Sequence, residues 1–174
     1  MKLIDKNIIY YLLLASLFFL LKLVYAMADT GDLMLFLYPV DQIIGVLLNS
    51  DSTYDISFGY YHESLQIIID KSCSGFNFYL IAFIVFAYLG LKYTKKHSQK
   101  ILMLFVSLIV AYVFTIMVNS SRIYTSIILE RQIPFQSDFL HQGIGILTNL
   151  TFLILAYFLL ESYLTNKKHH EKFA

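Results

Sequence analysis

A helix that crosses a bilayer needs about 20 consecutive, mostly apolar residues. This chain of 174 residues provides such blocks four times: about Ile8 to Ala28, interrupted by Lys22, then about Gly75 to Leu91, Ile101 to Val118 and Ile144 to Leu164. Charged residues make up 14% of the chain, against roughly a quarter in a soluble domain. The expected fold is therefore all-α integral membrane, with about four transmembrane helices in one domain over 1–174. A net charge of +1 gives no bulk field that would draw nucleic acid. The lipid bilayer is the expected surrounding, and nucleic acid is not an expected partner. No segment reads as a linker, and no internal repeat is visible.

Charge sets the expected orientation, because cytoplasmic flanks carry an excess of Lys and Arg. Lys2 and Lys6 precede the first block; Lys92, Lys95, Lys96 and Lys100 fill the loop between the second and third; Lys167, Lys168 and Lys172 follow the fourth. The intervening segments 29–72 and 119–143 carry most of the acidic residues, with only Lys71, Arg122 and Arg131 as cations. Both termini are expected in the cytoplasm, in a plasma (inner) membrane. Ala26-Met27-Ala28 has the small-x-small form of a signal-peptidase site. The apolar run before it is long for a signal peptide and contains Lys22, so an uncleaved helix is the preferred reading.

Within the extracytoplasmic segment 29–72, Leu33 to Leu48 is apolar but broken by Pro39, Asp41 and Gln42. An interfacial or re-entrant helix fits better than a span. Asn49 to Ser52 form a turn cluster. Alternation at Tyr54, Ile56, Phe58 and Tyr60, and again at Leu65, Ile67 and Ile69, reads as a small β-hairpin with its turn near His62-Glu63. His62-Glu63 lacks the second His of a helical zinc site, so no metal and no cofactor is expected.

Three residues could carry chemistry. Cys73, the single cysteine, opens the second block and cannot form an internal disulfide. A helix N-terminus favours thiolate, Ser74 (or Ser72) could cap it, and Gly75 would permit close backbone approach. Arg122 follows Asn119 by three residues, on one helical face, and could stabilise an oxyanion. His141 precedes the fourth block, where an imidazole could move a proton, and Asp138 could orient it. Each alone has a plainer explanation: a buried small hydrophobe, a snorkelling anchor, an interfacial histidine. Together they place a nucleophile, a cation and a base at one membrane depth on one side. Acyl transfer through a thioester needs these parts.

Cys73-Ser74-Gly75 opening a helix, Asn119-Ser120-Ser121-Arg122-Ile123 closing the next and His141 opening the last resemble the exosortase/archaeosortase family, over about residues 54–160. The resemblance implies a membrane cysteine peptidase or transpeptidase with Cys73 as nucleophile, Arg122 as transition-state stabiliser and His141 as acid/base. Its partners would be membrane-anchored proteins bearing a C-terminal sorting signal: a short motif, a hydrophobic helix and a basic tail. Many members have about eight helices, so four would make this chain a compact form such as exosortase K. Two other classes fit parts of the sequence. A small transporter or channel would line a path with Lys22, Asn119 and Arg122. A non-catalytic envelope assembly subunit would bury Cys73 as an inert thiol.

Overall fold

The structure, a computed structural model, describes residues 7–132 and 138–173, with side chains over 7–129 and 143–166. Helix α1 is Ile8–Met27; a 3-10 turn, Gly31–Leu33, leads into α2, Met34–Leu48; three short strands follow, β1 (Thr53–Asp55), β2 (Gly59–His62) and β3 (Ile67–Ile69). A second 3-10 turn, Lys71–Cys73, precedes α3 (Phe76–Tyr93), α4 (His97–Gln132) and α5 (Asp138–Phe173). The long helices turn large apolar side chains outward along their lengths, among them Leu12, Phe19, Phe105, Ile109, Leu155 and Leu159. Soluble monomers rarely leave so much apolar surface uncovered, whereas lipid covers it without cost. The core lies where α3 packs against α1, α4 and α5, and where α2 meets α4.

Five helical segments are long and apolar enough to cross a membrane, including Gly31–Leu48. The β-sheet decides the position of that segment. Tyr60 donates its hydroxyl to Met34 Sδ, His62 reaches Asp41, and Ser64 meets Ser50, so the sheet runs alongside α2 from its start to its end. Open sheet edges and acidic residues such as Asp55 and Glu63 are excluded from hydrocarbon. With the sheet along it, α2 is the least suited of the five to cross, and the other four are the better candidates.

Two of those four are longer than the apolar runs suggest. Helix α4 continues past Val118 to Gln132, and α5 begins at Asp138. The segment 119–143, expected to be a loop, is thus helical over 119–132 and 138–143. Arg122 sits within α4, ten residues before Gln132, and His141 sits in the first turn of α5. At 36 residues, α4 is about 54 Å long, well beyond an apolar core of about 30 Å.

The sheet also departs from the expected hairpin. It has three antiparallel strands in the order β1-β2-β3, and residues 54–60 form a hairpin of their own. Asp55 turns the chain there by accepting from the Ser57 N–H at 2.7 Å. His62, expected in a turn, is in β2 and fully buried. Its Nε2 stands 3.1 Å from Asp41 Oδ1, an ion-pair contact rather than an aligned hydrogen bond, and its Nδ1 is 3.1 Å from Ser50 Oγ. This network pins the sheet to α2. The turn cluster at 49–52 is present as read: Asn49, at φ 48°, closes α2 in the left-handed region that Asn tolerates.

Candidate active site

Asp70 builds the turn that presents Cys73. Its Oδ1 accepts from both the N–H and the hydroxyl of Ser72, at 2.9 and 2.6 Å, and its carbonyl accepts from Cys73 N–H at 2.9 Å. The chain then passes through Gly75, at φ 69°, into α3. Ser74 Oγ accepts from Phe76 N–H at 3.3 Å, the capping role expected of it. Cys73 thus lies in the 3-10 turn, two residues before the helix cap, and not on the free N–H groups of α3. Its thiol, half-buried, has Ser72 Oγ at 3.8 Å and the Ile68 carbonyl at 4.0 Å as partners.

Helix α4 brings the second set of groups. Thr115, Asn119, Arg122 and Ser126 recur at intervals of four, three and four, which puts them on one helical face. Asn119 donates through Nδ2 to the Cys73 carbonyl. It holds the backbone of Cys73 and leaves Oδ1 buried, without a partner among the described residues. The Ser126 hydroxyl is in the same condition. Such atoms call for an explanation, and here Ser126 borders a cleft of about 290 Å³ whose lining includes Cys73, Arg122, Asp70 and Ile68. The cleft is half-open and carries one cation and one carboxylate.

Glycine is required twice. A Cβ at Gly75 would lie 2.9 Å from Asn119 Cγ, and a Cβ at Gly145 would lie 2.9 Å from Arg122 Nε. The guanidinium of Arg122 thus rests on the bare backbone of α5. Gly75→Ala is expected to cost about 1–2 kcal/mol for the left-handed backbone alone. It should also displace the Asn119 amide from the Cys73 carbonyl. Thermal unfolding of the purified variant checks this, and Gly75→Ala with Asn119→Ala should recover the part of the loss that is steric.

His141 is in α5, one turn before Gly145; its side chain, and that of Asp138, lie outside the described residues. The structure therefore joins Cys73, Asn119 and Arg122 in one place, with Ser74 and Gly75 shaping the turn. Sequence reasoning did not single out Asp70 or Ile68, and it passed over Ser126 and Gly145. An Asp two residues before a Ser is a readable turn signal, whereas Ile68 and Ser126 enter the site only through the fold. The two lysines near the site serve α1. Lys71 donates to the Ala28 carbonyl at 2.6 Å, Lys22 donates to Asn77, and both flank the Tyr25 ring, which stacks on Phe76. Lys22 is thus engaged between α1 and α3 and does not share a path with Arg122. Among the described residues no three His, Cys, Asp or Glu converge as metal ligands would.

A family model for transmembrane exosortases matches residues 10–159. The chain belongs to the exosortase family. The match takes in every residue of the cleft and most of the membrane bundle, and it reaches the family without choosing a subclass. No curated protein and no solved structure matches. Exosortases are generally cysteine transpeptidases of the membrane that act on sorting signals, and the cleft contains the chain's only cysteine.

Proposed function

We propose that this chain is a cysteine peptidase-transpeptidase that removes C-terminal sorting signals from exported membrane-anchored proteins at the extracytoplasmic face. The observation that carries this is the cleft itself, where a thiol from the turn before α3 and a guanidinium from α4 line one opening of about 290 Å³. The charge pattern supports the orientation. On this reading the Lys-rich α3–α4 loop and the last turns of α5, which contain Lys167, Lys168 and Lys172, face the cytoplasm, and the cleft, sheet and α2 face the other side.

In the proposed reaction His141 takes the thiol proton and Cys73 Sγ adds to the scissile carbonyl carbon. The carbonyl oxygen gains the negative charge, which Arg122 stabilises; such a preorganised donor is the largest single term in many acyl transfers. Collapse breaks the C–N bond, and the leaving amine takes the proton from His141. An acceptor, amine or water, then adds to the thioester carbonyl carbon and gives its proton to His141, and the C–S bond breaks with sulfur leaving as thiolate. Asn119 acts through the Cys73 carbonyl, as a positioning residue.

Substrate recognition follows from topology. A basic tail keeps one end of the signal helix in the cytoplasm, so its other end sits at the outer leaflet beside Cys73. Two helices in one bilayer gain proximity without a large docking domain. In host-cell membranes, Cys73 is expected to carry a polypeptide adduct that neutral hydroxylamine releases, as a thioester requires. Sorting-signal removal with no hydroxylamine-labile adduct on Cys73 would count against the proposal. A transporter is disfavoured because the polar residues concentrate at one end of the bundle instead of the midplane.

A further inference from the structure

The cleft has a third wall, and it is the edge of a sheet. In the order β1-β2-β3 one side of β3 pairs with β2, and the cleft lining includes Ile67, Ile68 and Ile69. Along a paired strand, successive residues direct their backbone N–H and C=O to opposite edges. The Ile69 carbonyl faces β2, since a Cβ on Gly59 would lie 2.4 Å from it. The Ile68 carbonyl faces the other way and lies 4.0 Å from Cys73 Sγ. The Ile68 N–H shares that edge. No described strand pairs with this side of β3, where the Ile68 carbonyl meets the Cys73 thiol, although open edges are ordinarily covered, charged or bulged.

We propose that the substrate's scissile segment docks on β3 as an added, extended strand. One substrate residue pairs with both backbone groups of Ile68, and a neighbouring carbonyl is thereby laid against Cys73 Sγ. This rests on the reading of Cys73 as the nucleophile. The chemistry of the interface favours this occupant. A scissile amide at the end of a membrane helix must leave the helix to be attacked, and its freed N–H and C=O groups are costly near hydrocarbon. A strand edge satisfies them at once, as in other strand-addition complexes. The cleft is at the low end of ligand-pocket volumes, which suits a short extended stretch and not a folded partner. Recognition would rest on the substrate backbone, with side chains adding selectivity.

The test uses the full chain in detergent and two electrophiles, an acetylated trialanine chloromethyl ketone and iodoacetamide. The quantity read is the ratio of the two Cys73 alkylation rates, in which changes in the thiol itself cancel. That ratio is expected to exceed the ratio for free N-acetylcysteine by roughly tenfold or more. N-methylation of the peptide's internal amides should remove the gain on the unaltered protein. Ile68→Pro, which deletes the outward N–H and leaves the bonds to β2, should remove it too, and Ile68→Ala should keep it. A ratio equal to that of the free thiol, or one indifferent to N-methylation, overturns the docking. So does a thiol that reacts with neither reagent, because a docked strand would set the electrophile beside sulfur. A free-thiol ratio together with loss of processing in Cys73→Ala removes the strand docking alone. A raised ratio with processing intact in Cys73→Ala removes the proposed function instead.

Discussion

Cells carrying Cys73→Ala are expected to hold the chain in the membrane at the level of the parent and to lose sorting-signal removal entirely. The two halves of that expectation have separate causes. Cys73 occupies a 3-10 turn fixed by Asp70, and its side chain is only half-buried, so trimming one sulfur leaves the turn and the start of α3 intact. The proposed reaction, by contrast, needs a thioester, and the sequence has no second thiol to form one. Losing the nucleophile of a comparable acyl-transfer site costs on the order of 10⁶-fold in rate. Immunoblotting of membranes for the chain and for an unprocessed substrate reads both halves. Continued processing by Cys73→Ala would end the thioester mechanism.

Arg122→Ala should come next in severity, with turnover falling roughly 100- to 1,000-fold. The fall belongs in kcat more than in KM, since the guanidinium meets a charge that develops only as sulfur adds to the carbonyl. Arg122→Lys should restore part of the rate. An ammonium supplies the charge but not the planar fork that rests on Gly145. A time course of substrate processing at several substrate levels separates kcat from KM. An Arg122→Ala defect confined to KM would make the residue a binding group and not a stabiliser of the oxyanion.

The bilayer made much of the fold legible in advance. Helices α1 and α3 begin and end close to the apolar runs at about 8–28 and 75–91, because hydrocarbon dictates their composition. The end of α4 was not legible. Asn119 to Ile123 read as the closing turns of a helix, yet that helix continues to Gln132, with Asn119, Ser120 and Ser126 buried along it. Ser126 borders the cleft, and Asn119 holds the Cys73 carbonyl. His62 was misread as a turn residue for a related reason. Its partner, Asp41, is 21 positions earlier, and no local pattern announces a buried pair between a helix and a strand. The apolar stretch with Pro39 and Asp41 was read as interfacial or re-entrant; its helix is long and apolar enough to cross, and the sheet packed along it weighs against crossing.

The same contrast holds within the site. Cys73, Gly75, Asn119 and Arg122 stood out as residue types, and the fold brings them together. Asn119 stood out for sharing a helical face with Arg122, and the fold adds that its amide clamps the Cys73 carbonyl. The thiol is likewise not on the N-terminus of α3, because Gly75 interposes a left-handed cap. Ile68 carries no signal at all in sequence. It matters through a backbone carbonyl, which every residue has, aimed at sulfur by the register of β3 on β2.

The most direct test of the central claim is labelling of Cys73 in sealed right-side-out membranes with a membrane-impermeant maleimide, comparing the parent with Arg122→Ala and His141→Ala. With one cysteine in the chain, every labelled molecule reports this site. The account predicts rapid labelling from outside, slowed in both variants, because the cation stabilises thiolate and the imidazole accepts its proton. Labelling that requires opening the membranes, or that proceeds at the same rate in all three proteins, would contradict it.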